Sequence, residues 1–253
     1  MSQGEFYQIF LYAWFGLSAF VFLLLLFIRA PYGRHNRSGW GLQISSRLGW
    51  VLMEGLSAVM MAAFFVLSHR SVGAVSLVFL GMWEIHYVHR AFIYPFRRRD
   101  EGKTMPLVVV VMGMLFNAGN CYLNGRYLFS YGPGYSLSYL TTFKFLSGAA
   151  LFGIGFVINQ QSDWILSHLR APGETGYRIP KGGLFDKVSC PNYLGEILEW
   201  TGWALATWSL PGVSFAVWTA ANLVPRALAH HRWYREHFDD YPESRKALIP
   251  YVL

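Results

Sequence analysis

The run LYAWFGLSAFVFLLLLFI, residues 11–28, decides the fold class. It holds no charged side chain, and a helix needs about 20 apolar residues to cross a hydrocarbon core about 30 Å thick. With its flank the run covers roughly 6–28, enough for one crossing. Working outward, the same test finds apolar stretches near 48–68, 72–96, 105–124 and 138–158. The stretch 193–230 is long enough for two more, broken at Ser209, Leu210, Pro211 and Gly212. The sequence therefore predicts an all-α fold, an integral membrane bundle of seven transmembrane helices.

Charge placement tests that count independently. The segments 29–47, 97–103, 159–190 and the tail from Arg226 hold four, four, four and five Lys or Arg residues. The alternate segments 1–5, 68–71, 125–138 and 209–212 hold zero, one, one and zero. Basic residues collect on the cytoplasmic side, so the N-terminus is expected outside or lumenal and the C-terminus cytoplasmic. An even number of helices would spoil this asymmetry. The MSQGEF terminus has no basic lead-in and no small-residue cleavage site follows the first run, so that run reads as an anchor rather than a signal peptide.

Composition agrees: 54% of residues are hydrophobic and only 14% charged, against about a quarter charged in soluble domains. The formal charge of +7 is explained by the basic loops. No basic, aromatic-interleaved soluble segment exists to hold a nucleic acid, and none is expected as a partner. Cys121 and Cys190 suggest neither a disulfide framework nor a metal site. His86 with His89, and His230, His231 and His237, lack a carboxylate or cysteine at ligand spacing, so no metal is expected.

Ionisable groups inside a bilayer are costly and tend to face an interior cavity. The second apolar stretch contains Glu54. The third contains Glu84, His86, Tyr87, His89 and Arg90, where Glu84 and Arg90 could simply pair. The fourth carries Asn117, Asn120 and Asn124 at i, i+3 and i+7, hence on one face. Asn192, Glu196 and Glu199 open the sixth. So many polar groups on successive helices point to a polar cavity.

A second cluster lies at or near the cytoplasmic side. Asn159 and Asp163 share a helical face, followed by Arg170, Tyr177 and Arg178 in a long polar stretch, 159–190, read as a structured loop. Arg226, His230, Arg232 and Tyr234 lie on the last helix and its exit. Guanidinium groups with Tyr and Asn donors suit an anionic ligand carrying phosphates. Ordinary loop charge against anionic lipid explains the same residues equally well. No GxGxxG follows a strand and no GxxxxGK[ST] occurs, so a dinucleotide would have to lie among the helices, its phosphates near the basic face.

From about Ala30 onward the chain resembles the steroid 5α-reductase family (3-oxo-5α-steroid 4-dehydrogenases). The resemblance is carried by HYVHRAFIYPF (86–96), SDWILSHLRAPGETGYRIPKGGLF (162–185), PNYLGEILEWTGWALATWSLP (191–211) and HHRWYREHFDDYPESRKALIPYVL (230–253). It implies one membrane-embedded reductase domain over 1–253, with a cytoplasmic cofactor-binding loop region and the cofactor half at about 159–253. The implied activity is NADPH-dependent reduction of the 4,5 double bond of a 3-oxo-Δ4-steroid. By resemblance Glu54 and Tyr87 hold the C3 ketone. Tyr32, Asn159, Asp163, Arg170, Tyr177, Arg178, Asn192, Glu196, Arg226, His230 and Tyr234 hold the cofactor, and Trp200 lies near the nicotinamide. Arg97, Arg98 and Arg99 offer a further cofactor contact that cannot be assigned to one of them. The family often has Gln before the Glu where this chain has Met53, and a basic residue where it has Met112.

The chemistry is coherent, because an enone accepts hydride at its β-carbon when donors stabilise the charge growing on the carbonyl oxygen. Tyr87 can donate, and Glu54 can donate when protonated, the form that removal from water favours. Other readings are a membrane reductase of a different enone or enoyl lipid, such as a polyprenol precursor or long-chain enoyl thioester, an isoprenylcysteine-type methyltransferase using S-adenosylmethionine, and a non-enzymatic lipid-binding or transport protein. A monomer surrounded by membrane lipid is expected, in the endoplasmic reticulum of a eukaryote or the inner membrane of a bacterium.

Overall fold

The computed structural model describes residues 1–28, 39–68, 73–98, 102–170, 174 and 176–253. Tyr32 and Arg99 of the expected cofactor set lie outside them. The chain divides into two compact units, Met1–Leu11 with Ala30–Thr142 and Tyr12–Arg29 with Phe143–Leu253. Each follows from its own packing.

The first helix, α1, runs Gln3–Phe27. In the first unit β1 (Gln43–Ser45) leads into α2 (Ser46–Val66), and β2 (Thr104–Pro106) leads into α5 (Leu107–Arg126). The strands pair antiparallel, Gln43 opposite Pro106 and Ser45 opposite Thr104. This small ribbon departs from the all-α expectation for a backbone reason. The first N–H groups of a helix have no partner within it. Here Ser46 N donates to Lys103 O at 2.9 Å and Leu107 N donates to Leu42 O at 2.7 Å. The ribbon thus starts both helices in register, and α2 packs along α5 and against α3 (Ala74–Val88).

The third apolar stretch is one helical run with a defect. α3 widens into a π-turn at His89–Ile93 before α4 (Tyr94–Arg97). Pro95 has no N–H to give to the carbonyl of Ala91, four residues back, which favours such a break. A second π-turn, Tyr127–Tyr131, closes α5.

The second unit is organised by α6 (Phe143–His168), α7 (Pro191–Thr207) and α8 (Leu210–His237). Gly148 and Gly155 on α6 and Gly195 and Gly202 on α7 are each seven residues apart, so each pair shares a helix face. A Cβ added at Gly155 would lie 2.5 Å from Gly195 O, and one at Gly195 would lie 2.5 Å from Asn159 N. The two backbones touch, as small residues permit in apolar surroundings. The expected break at 209–212 is real and tight. Trp208 is left-handed (φ 45°), and Ser209 caps α8 by accepting from Gly212 N at 3.1 Å. α6 also continues to His168, so part of the stretch expected as loop, 159–168, is helical.

Among the described residues four helices are long and apolar enough to cross a membrane: Gln3–Phe27, Ser46–Val66, Leu107–Tyr131 and Phe143–His168. Exposed Phe20, Leu23 and Phe27 on α1 would be out of place in water.

Candidate active site

In the first unit the polar residues of α2, α3 and α5 are drawn inward. Asn117, Asn120 and Asn124 are all buried, as their common face predicts. Asn117 Nδ2 donates to Met53 O at 2.7 Å, and Asn124 Nδ2 donates to Asn120 Oδ1 at 3.1 Å. Cys121 Sγ donates to Ser57 O at 3.5 Å.

Tyr87 is buried, its ring stacked on Trp83 with centroids 4.9 Å apart and edge-on to His86 at 5.0 Å. Those two rings fix the direction of its phenol. Glu54 is part-buried on α2. Ser57 Oγ, Asn120 Nδ2 and Glu84 Oε1 are buried with no hydrogen-bond partner among the described residues. Buried polar atoms are rarely left so, and each marks a place for water or ligand. The pairing of Glu84 with Arg90 that their spacing allows is not made. Arg90 lies instead over the rings of Trp50 (4.8 Å) and Tyr94 (4.5 Å), which accommodate its buried charge.

In the second unit the glycine contact sets the cofactor candidates side by side. Asn159 Nδ2 donates to Asn192 O at 3.0 Å, and Asn192 Nδ2 lies 3.4 Å from Asp163 Oδ1. A turn along, Tyr193 Oη and His230 Nε2 are 3.2 Å apart, and the Arg226 guanidinium lies 5.2 Å from the Tyr193 ring centre. Tyr193 was not singled out from the sequence. Its place beside Asn192, one helical turn before Glu196, was the available signal.

The remaining candidates are more scattered. Arg170 Nη1 donates to Gly176 O at 3.0 Å, and exposed Arg178 pairs with Glu174 at 2.5 Å. Tyr177 is exposed and packs edge-on to Trp233 at 4.9 Å. Glu196 is part-buried on α7. Trp200 is fully enclosed, 4.0 Å from the Phe215 ring, and Tyr234 is buried against Tyr241 at 5.3 Å. Those last two sit among aromatic rings, so they contribute packing whatever else they do.

A hub that the sequence did not reveal ties the stretch before α7 to the C-terminal tail. Ser189 Oγ lies 2.7 Å from His231 Nδ1 and 2.6 Å from Tyr241 Oη. Val188 and Lys246 form a parallel bridge, and buried Arg245 donates to Pro180 O at 3.1 Å. Burial holds the His231 imidazole below its usual pKa, helped by the charges of Arg235, Lys246 and Arg245. Burial pushes the Tyr241 phenol up, against hydrogen bonds from Ser189 and Arg245.

A family profile described as 3-oxo-5-alpha-steroid 4-dehydrogenase matches residues 103–253, well over half of the chain. The chain belongs to that family. The family is one of oxidoreductases, and this chain is an oxidoreductase of the 3-oxo-5α-steroid 4-dehydrogenase type. Its similarity to individual relatives runs almost end to end. It is 42% identical over 232 residues to the steroid 5-alpha-reductase DET2 of Gossypium hirsutum, covering 90% of each chain. It is 44% identical over 241 residues to 3-oxo-5-alpha-steroid 4-dehydrogenase 1 of Rattus norvegicus, covering 94% of this chain and 92% of the relative. Against 3-oxo-5-alpha-steroid 4-dehydrogenase 1 of Homo sapiens it is 43% identical over 225 residues, 88% and 86% of the two chains. Among the described residues no group of three or more His, Cys, Asp or Glu side chains could hold a metal ion.

Proposed function

We propose that this oxidoreductase reduces the 4,5 double bond of 3-oxo-Δ4-steroids with NADPH, the C3 ketone held by Glu54 and Tyr87. The observation that carries the reading is the interior of the first unit. There a buried phenol, oriented by two rings, shares a helix cluster with Glu54 and with three orphaned polar atoms, on Ser57, Glu84 and Asn120. A purely structural apolar core would hold none of these.

The donor set of the second unit suits a phosphorylated dinucleotide. Asn159, Asp163 and Asn192 offer amide and carboxylate groups, while Arg170, Arg178, Arg226, Tyr177 and Tyr193 offer cations and phenols. Asn159, Asp163, Arg170, Tyr177, Arg178, Asn192, Glu196, Trp200, Arg226, His230 and Tyr234 would hold the cofactor, together with Tyr32. When bound, NADPH supplies a hydride to C5. Tyr87 and protonated Glu54 donate hydrogen bonds to the ketone oxygen and strengthen them as it takes up charge. The resulting enolate is released when C4 receives a proton. Preorganised donors away from water are worth far more than the same donors in water.

The placement proposed is a seven-span monomer with its C-terminus cytoplasmic, supported by the charge asymmetry of the loops. It sits in the endoplasmic reticulum or, in a bacterium, the inner membrane. A reductase of another enone or enoyl lipid is the second reading. Met53 packs in an apolar cluster with Met105 and Val110, leaving one polar contact fewer beside Glu54.

The test is direct. Protein purified in detergent receives NADPH and testosterone or progesterone, and product is followed by mass spectrometry. Gain of two hydrogens, lost in Tyr87→Phe and Glu54→Ala but retained in part by Glu54→Gln, is the expected result. Product formed equally by all variants would remove both residues from the chemistry. NADPH binding without steroid product would move the substrate to another enone.

A further inference from the structure

At the opposite end of the first unit from the helix starts at Ser46 and Leu107 lies a cavity of about 490 Å³, lined by Met1, Gln3, Phe6, Phe64, Tyr122 and Arg126 among others. Its size falls within the range of small-ligand pockets, roughly 300–1,000 Å³. Phe6, Phe64 and Tyr122 give it an aromatic wall, with the Phe6 and Tyr122 rings edge-to-face at 6.2 Å. Arg126 gives it a cation.

That cation is not neutralised. The hydrogen bonds of its guanidinium leave from Nη2 alone, to Tyr131 Oη at 2.5 Å and to Gln3 Oε1 at 3.4 Å. The Tyr131 ring lies 4.5 Å from its centre. Among the described residues, Nε is buried with no acceptor and no carboxylate lines the cavity. Glu5, close in sequence to the lining residue Gln3, is exposed and accepts from Ser2 N at 2.7 Å. A guanidinium held by neutral groups, with Nη1 making no hydrogen bond among the described residues, keeps a charged donor for an anion.

Depth selects the kind of anion. Gln3 begins one helix long and apolar enough to cross a membrane and Tyr131 ends another, so with both helices spanning, the cavity opens where hydrocarbon gives way to headgroups. A soluble anion has no use for the aromatic wall, whereas a lipid offers phosphate to Arg126 and its glycerol and upper acyl chain to Phe6, Phe64 and Tyr122. We propose that this cavity binds the phosphate headgroup of an anionic membrane lipid. The site is independent of the residues assigned to reduction.

Native mass spectrometry of the full chain in neutral detergent tests it, with phosphatidylglycerol, phosphatidylcholine of the same acyl chains, and inorganic phosphate as separate probes. The expected result is one retained phosphatidylglycerol, with phosphatidylcholine held at least tenfold more weakly and inorganic phosphate not retained. Arg126→Gln should weaken phosphatidylglycerol at least tenfold and Arg126→Lys less. Gln3→Glu, at an exposed position, places a carboxylate beside Nη2 and should abolish binding with Arg126 intact. Equal retention of the two lipids, or binding unchanged in both Gln3→Glu and Arg126→Gln, would overturn the proposal. Inorganic phosphate displacing the lipid at equal concentration would overturn it too, since the site would then read the anion alone.

Discussion

The α6–α7 pair of the second unit and the α2–α5 pair of the first both place glycines at their contact, but the glycines meet different atoms. At Gly148, Gly155, Gly195 and Gly202 the facing atoms are backbone, with an added Cβ at Gly148 only 2.6 Å from Ala206 Cα. At Gly49, Gly113 and Gly125 they are the ends of side chains, Met105 Sδ at 2.5 Å, Met53 Sδ at 2.6 Å and the Phe64 ring at 2.7 Å. Backbone cannot retreat without moving a helix, whereas a thioether has three rotatable bonds and can. One unit thus fixes its polar groups by helix position and the other by adjustable packing. On the proposed assignment, the first arrangement suits an invariant cofactor and the second a cavity whose shape is tuned to its substrate.

The largest effect expected is on chemistry in the first unit. Tyr87→Phe should lower kcat about 10²- to 10³-fold, the cost of one lost oxyanion donor, with little change in KM for NADPH. A matching rise in KM for NADPH would break the separation of roles. Next, Gly155→Ala forces a methyl into the Gly195 and Glu199 backbone and should cost at least the ~1–3 kcal/mol of overpacking, read as a lower melting temperature in detergent. Gly113→Ala asks only that Met53 move and should cost less than about 1.5 kcal/mol. Equal losses in the two glycine variants would erase the contrast. Asn159→Ala removes the bond to Asn192 O, a term of about 1 kcal/mol, and should raise KM for NADPH several-fold while leaving kcat within about twofold.

The smallest effect is one of pH. Because the folded state holds His231 below its usual pKa, the unfolded chain binds more protons once pH falls through about 6.5. The hub at Ser189, His231 and Tyr241 therefore contributes fully above that pH and loosens below it. Hydrogen exchange at Ser189 and Lys246 N–H, compared at about pH 7.5 and about pH 5.5 after correction for the intrinsic rate, should show the loss, and His231→Gln should flatten it.

The membrane class and the helix order were legible because apolar length is a one-dimensional signal. The Asn face of α5 and the break at 209–212 were legible for the same reason: spacing along one helix fixes direction. The ribbon of Gln43–Ser45 with Thr104–Pro106 was hidden, since six residues with no alternation leave no periodic trace. The Ser189 hub joins residues 42 and 52 positions apart, a pairing that only the fold reveals. Gly155 lies within the apolar stretch 138–158, where nothing but the facing Gly195 backbone reveals its purpose. For the proposed site, Glu54 and Tyr87 stand out as polar groups in apolar stretches. Trp200 and Tyr234 could be matched only by resemblance, and aromatic neighbours surround both.

The most direct test of the account is isotopic. Single turnover with unlabelled NADPH and a 3-oxo-Δ4-steroid in deuterated water should give a 5α-reduced product with protium at C5 and deuterium at C4. Both should be lost together in Tyr87→Phe. Deuterium at C5, or no reduced product from protein that binds NADPH, would contradict it.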